Sequence, residues 1–149
     1  MPFRFRLKPL MRHRKFKLQE AQSALAIAET LRREIQARIY RAEDKIRTES
    51  ELCESEQKQG MEASRYLHFK NYIEFLEREL LKLNVELEKA AQEAEQCKQY
   101  VMECHMAFKV LENMESTAEE SYKLLQARKD QKRLDEVAVL KDYRDRSSV

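Results

Sequence analysis

Apolar residues recur along this chain at alternating steps of three and four. From Tyr66 the steps fall on Phe69, Ile73, Leu76, Leu80, Leu83, Leu87, Ala90, Ala94, Cys97, Val101, Cys104, Phe108, Leu111, Glu115, Ala118, Tyr122 and Leu125. Glu115 is the one polar position, and the register never skips. A repeat of 3.5 residues held this long winds helices into a left-handed coiled coil. A second stripe runs upstream through Leu7, Met11, Arg14, Leu18, Ala21, Leu25, Ala28, Arg32, Ile35, Ile39, Ala42, Ile46, Glu49 and Cys53, with Leu31 able to lean in beside Arg32. The two stripes are out of phase. Between them lies the polar run Glu54-Ser55-Glu56-Gln57-Lys58-Gln59 and then Gly60, the only glycine.

Gly60 can take the left-handed backbone that ends a helix, and Ser64 can cap the next one. Pro9 suits a first helical turn, where its missing N–H costs nothing. These signals predict helix 1 over about 10–56, a turn over about 57–63 and helix 2 over about 64–143, roughly 70 Å and 120 Å long. A helix with one apolar stripe must bury it. The nearest partner is the other half of the same chain. The predicted fold is therefore all-α: residues 1–149 as a single long antiparallel two-helix coiled coil, with helix 2 the longer. The register sets Ile46 against Leu76, Ile39 against Leu83, Ile35 against Leu87 and Ala28 against Ala94. Leu7 then reaches residue 115, so helix 2 is expected to overhang from about 116 to 143. Ala118, Tyr122 and Leu125 continue the stripe there without a partner in the chain, which points to a partner outside it.

Composition supports this reading. Charged residues make up 38% of 149, Pro occurs twice and Trp not at all. Turn residues are too few for an ordinary globular domain. The net charge of +2 conceals an asymmetry: residues 1–17 hold seven Lys or Arg and no acid. Such arms bind nucleic acid, anionic lipid or acidic protein surfaces. A presequence would be Ser-rich, and this segment has no Ser. No apolar run approaches the ~20 residues that span a bilayer, and no secretory segment is visible, so a cytoplasmic location is expected.

No motif for catalysis, cofactor or metal emerges. His13, His68 and His105 are scattered. Cys97 and Cys104 lie on the stripe, where cysteine serves as a small hydrophobe. The many carboxylates read as a solvated face, with i,i+4 pairs such as Glu34–Arg38 and Glu74–Arg78. Three features stand out. Tyr66, Phe69, Tyr72 and Phe75 cluster just after the turn, with Tyr72 and Phe75 off the stripe and expected to be exposed. Phe3, Phe5 and Leu7 punctuate the acid-free arm. Mixed charge replaces the apolar stripe from Arg128 to Glu136.

Three stretches resemble the FliJ family of flagellar type III export proteins, over nearly the whole chain. The opening Phe3-Arg4-Phe5-Arg6-Leu7, with Leu10 and Arg12, is similar to the family's N-terminus. Gly60-Met61 followed by Tyr66, Phe69, Tyr72-Ile73 and Leu76-Glu77 is similar to its turn. Asp130-Gln131-Lys132-Arg133-Leu134-Asp135-Glu136 is similar to its Gln-Lys-x-x-Asp-Glu signature. The resemblance implies a non-enzymatic, stalk-like protein that binds the hexameric export ATPase, the cytoplasmic domain of the membrane export gate, and export chaperones. It implies peripheral association with the cytoplasmic membrane and no nucleic-acid partner. Gate contacts are implied near the turn, at Tyr72, Leu76 and Leu83, joined by the aromatic Tyr66, Phe69 and Phe75. Arg38, Ala42, Lys45 and Glu49 on the facing helix are more charged than the pattern of some members. At the open end, Phe5, Leu7, Tyr122 and Leu125 are expected to give the ATPase apolar contact. Arg4, Arg6, Arg128, Gln131 and Lys132 would orient it, with Asp135 and Glu136 setting polarity. The alternatives are a generic dimeric coiled-coil scaffold and an injectisome stalk protein.

Overall fold

A computed structural model describes residues 2–148. It contains two helices, α1 (Lys8–Gln59) and α2 (Ala63–Ser147), arranged as an antiparallel coiled-coil hairpin with α2 the longer. α1 runs two to three residues past both of its predicted ends, and α2 starts one residue earlier and ends four later than predicted. The polar run 54–59 stays helical because Glu, Gln and Lys are good helix formers even where no apolar face calls for a helix. Gly60 ends α1 with φ +93° and donates its N–H to the Gln57 carbonyl at 3.2 Å. A Cβ there would meet nothing within 4 Å, so the backbone angle and not crowding demands glycine. Ser64 does not cap α2 as expected. The Glu62 carbonyl accepts the N–H groups of Arg65 and Tyr66, both at 3.1 Å, and Ser64 falls inside the first turn.

Packing divides the chain into two units, Gln19–Glu103 and Met1–Leu18 with Cys104–Val149. The first contains the turn. Its buried residues are Ala21, Ala28, Ile35, Ile39, Cys53, Phe69, Leu76, Leu83, Ala90 and Ala94, and every one lies on a predicted stripe. Ile35, Ile39, Leu83 and Ala90 form one cluster, with Ala42, Leu80 and Leu87 packed against it. The cluster unites Ile39 with Leu83 and Ile35 with Leu87, as the expected antiparallel register requires. No described side chain is completely enclosed, since a two-helix seam covers each residue from one side only. Leu31 does not lean in; it is exposed. The predicted same-helix pairs are also replaced. Arg38 faces Glu86 on α2 at 3.8 Å, and Arg78 Nε donates to the Glu74 carbonyl at 3.4 Å.

The second unit contains both termini. Met11, Leu18 and Leu111 are its buried residues. The polar interruptions of the stripes are satisfied across the helices here. Arg14 Nη1 donates to the Ala107 carbonyl at 2.9 Å, and Lys8 Nζ pairs with Glu115 Oε2 at 2.9 Å. Residues 2–7 precede the helix. Phe3, Phe5 and Leu7 are half-buried, while Pro2, Arg4 and Arg6 are exposed. Phe3 packs on Tyr122 with ring centroids 5.5 Å apart and planes at 43°. The expected overhang from 116 is thereby shortened. The non-helical arm covers α2 as far as Tyr122, and every described residue from Ala127 to Ser148 is exposed.

Candidate interaction surfaces

The turn is clamped by charge. Arg65 donates to Glu56 through Nε at 2.5 Å and Nη2 at 2.7 Å, a fork-to-fork pair that ties the start of α2 to the end of α1. Arg65 also lies over the Phe69 ring, 5.6 Å from its centroid. The guanidinium holds the Glu56 carboxyl below its ordinary pKa, and Glu56 raises that of Arg65. Lys45 of α1 sits over the Tyr72 ring at 5.5 Å, and Tyr72 beside it raises the Lys45 pKa.

The six residues expected to form the gate contact separate into two sets. Phe69, Leu76 and Leu83 are buried between the helices. They pack in the seam and leave little surface for a partner. Their place on the stripe already implied this. Tyr66 and Phe75 are exposed, and Tyr72 is half-buried beneath Lys45 rather than free. A shallow groove beside the turn runs along Ser50, Cys53, Glu54, Gln57, Tyr66, Lys70 and Ile73. Tyr66 is partly exposed despite its stripe position, because it stands in the first turn of α2.

The open-end set all falls in the unit that contains the termini. Arg4 and Phe5 line a groove with Phe3, Lys8, Pro9, Arg12, Glu115 and Glu119. Arg6 is exposed and Leu7 half-buried. Tyr122 is half-buried under Phe3 and is not a free apolar contact; Leu125 is exposed. Arg128, Gln131, Lys132, Asp135 and Glu136 stand on the bare length of α2. Gln131 Nε2 donates to Asp135 Oδ1 at 3.1 Å. Lys132, Asp135 and Glu136 border an apolar strip made by Val139 and Leu140, and Leu134 and Val137 form another with Asp130 and Arg133. Val137, Val139 and Leu140 are exposed, and the sequence pattern does not mark them as contacts. Val139 returns to the register of the stripe, but Lys129, Lys132 and Glu136 interrupt it first, and Val137 and Leu140 stand off it.

Among the described residues, no group of His, Cys, Asp or Glu could hold a metal, and no helix is long and apolar enough to cross a membrane. The fold and these surfaces define a coiled-coil hairpin whose distinctive chemistry is aromatic at the turn and mixed-charge at the bare end of α2. The family described as Flagellar FliJ protein matches residues 3–147. The chain belongs to that family, and so to the proteins of flagellar export. Neither a curated protein nor a solved structure matches it.

Proposed function

We propose that this chain is a stalk-like export component that acts by binding and catalyses nothing itself. It engages a hexameric export ATPase through the unit that holds its termini, and the cytoplasmic domain of the export gate near its turn. It also escorts export chaperones, and it associates with the cytoplasmic membrane only peripherally, at the export apparatus. The observation that carries this reading is the bare length of α2 from Ala127 to Ser148, in a chain whose family is flagellar. An uncovered helix about 10–12 Å across is narrow enough to enter or cap a ring. It presents Arg128, Lys132, Asp135 and Glu136 beside exposed Leu134, Val137 and Leu140. Mixed charge around apolar anchors tunes partner choice and on-rate more than raw affinity. The arm residues Arg4 and Arg6 add cations on the same unit.

For the gate, the exposed aromatics Tyr66 and Phe75 supply the anchors that dominate interfaces. The buried Phe69, Leu76 and Leu83 contribute only by shaping the hairpin. A generic parallel homodimer is disfavoured because the stripes are already buried against each other within one chain.

The test is capture of the hexameric ATPase and of the gate's cytoplasmic domain by the full chain. Arg128→Glu with Lys132→Glu is expected to weaken ATPase capture, more so at low salt, and to spare the gate. Tyr66→Ala with Phe75→Ala is expected to do the reverse with helicity unchanged. Full capture of both partners by both variants would contradict the assignment.

A further inference from the structure

The arm before α1 is not helical, and its burial alternates as in an extended chain. Phe3, Phe5 and Leu7 are half-buried, while Pro2, Arg4 and Arg6 are exposed. It lies where the α2 stripe has outrun α1. Phe3 packs on Tyr122, and Phe5 lines a groove with Glu115 and Glu119. The match is poor for a geometric reason. Side chains two apart on an extended chain stand about 6.6 Å apart along it. Rungs three or four residues apart on a helix rise by about 4.5–6 Å. The arm therefore cannot follow Ala118, Tyr122 and Leu125 rung for rung. Ala118 and Tyr122 are half-buried, and Leu125 stays exposed.

Little else holds the arm down. Among the described residues its hydrogen bonds are local: the Phe5 and Leu7 carbonyls accept the N–H groups of Lys8 and Met11 at 3.1 and 2.9 Å. Arg4 shares the groove with Glu115 and Glu119, but those carboxylates pair with Lys8 at 2.9 Å and Lys123 at 3.6 Å instead. The whole unit has sixteen Lys and Arg against nine Asp and Glu, a net +7, so long-range charge does not draw a cationic arm onto it. Three half-covered apolar side chains must offset the ordering of residues 2–7, an entropy of comparable size. Segments with so few contacts open at small cost.

We infer that residues 2–7 are a displaceable strap, which masks Ala118 and Tyr122 and lifts when a helix of the export ATPase takes those rungs together with Leu125. The occupant is a helix because apolar positions spaced by three and four accept the side chains of a second helix, as α2 accepts those of α1 elsewhere in the seam. The inference rests on the reading of the terminal unit as the ATPase contact. It adds a competition, within that contact, between a segment of this chain and the partner. A strap closed about nine-tenths of the time lowers the apparent affinity about tenfold.

The test is titration of the labelled full chain with the hexameric ATPase, read by fluorescence anisotropy. Phe3→Ser should bind about three to ten times more tightly than the parent, because the rungs are free from the start. Tyr122→Ala should bind several-fold more weakly, because a rung is lost. Opposite signs at two residues in contact separate a strap from a structural pair, whose loss from either side would weaken binding. Phe3→Trp gives the chain its sole tryptophan, and quenching of its emission by acrylamide should rise when the ATPase is added. Circular dichroism checks that the three variants keep the helicity of the parent. The strap is overturned, and the ATPase reading stands, if the parent binds and Phe3→Ser binds equally or more weakly, or if the tryptophan is no more accessible in the complex. Absence of binding by the parent overturns both.

Discussion

The turn unit and the terminal unit are made from the same two helices, yet they differ in cover and in charge. Residues 19–103 contain thirteen Lys and Arg against eighteen Asp and Glu, a net −5 beside the +7 of the terminal unit. Among the described residues, the turn unit supplies ten of the thirteen buried apolar residues and the terminal unit three. In the turn unit the two stripes meet and are consumed. In the terminal unit one helix has run out of partner, and its polar and apolar groups stay in water. A coiled coil that buries its seam in one part can therefore leave another part free to recognise something else. Contacts in the turn unit must use side chains off the seam or at its end, such as Phe75 and Tyr66, whereas the terminal unit adds a length of helix with no seam at all.

The largest effect expected from this contrast is on stability. Ile39 is 3% exposed in the turn-unit cluster. Ile39→Asp places an unpaired carboxylate in the seam and should cost about 3–5 kcal/mol, read from chemical denaturation followed by circular dichroism. Leu134→Asp, on the bare length of α2, should change stability by no more than about 0.5 kcal/mol. Equal losses would break the distinction between covered and bare stripe.

Next is local order. Backbone amides of residues 130–148 should exchange hydrogen far faster than those of residues 35–45, because no second helix covers them. Bound ATPase should slow them if that segment is the contact. Exchange as slow as in the turn unit in the free chain would show that the bare helix has a partner already.

A smaller effect belongs to the polar interruptions. A double-mutant cycle on Lys8 and Glu115, whose side chains remain 45% and 24% exposed, should give a coupling of about 0.2–1 kcal/mol. The smallest concerns pH. The Glu56 carboxyl is held low by Arg65, so the clamp it makes is fully present above the ordinary carboxylate range. Its contribution is lost as pH falls through the depressed pKa. Amides flanking Gly60 should therefore lose protection in acid. Arg65→Ala should show that weaker protection already at neutral pH and respond less to acid. An identical acid response in the parent and the variant would remove the clamp from the account.

The seam was legible in the sequence because it is one layer deep. Ile35, Ile39, Leu83 and Ala90 recur with the helical period, and periodicity is enough to pair them. The same logic assigns Phe69, Leu76 and Leu83 to the interior, so offering them as partner contacts conflicted with their own pattern. Helix ends were less legible. Glu54 to Gln59 and the stretch after Arg133 are helical through intrinsic propensity and local bonds, without the apolar rhythm that marks a helix from outside. The packing of Phe3 on Tyr122 was not legible at all. An extended arm obeys no helical period, and which surface it covers depends on where α1 begins. Arg14 and Glu115 looked like faults in the stripe until their cross-helix partners explained them.

The central claim is that the bare end of α2 engages the export ATPase while the covered hairpin does not need it. It is tested most directly by a chain ending after Gln126, which retains every described residue that is buried, the Phe3–Tyr122 packing and the Lys8–Glu115 pair. The account predicts that this chain keeps the midpoint of the parent in chemical denaturation but loses stimulation of ATP hydrolysis by the hexameric ATPase. Stimulation equal to that of the full chain would contradict it.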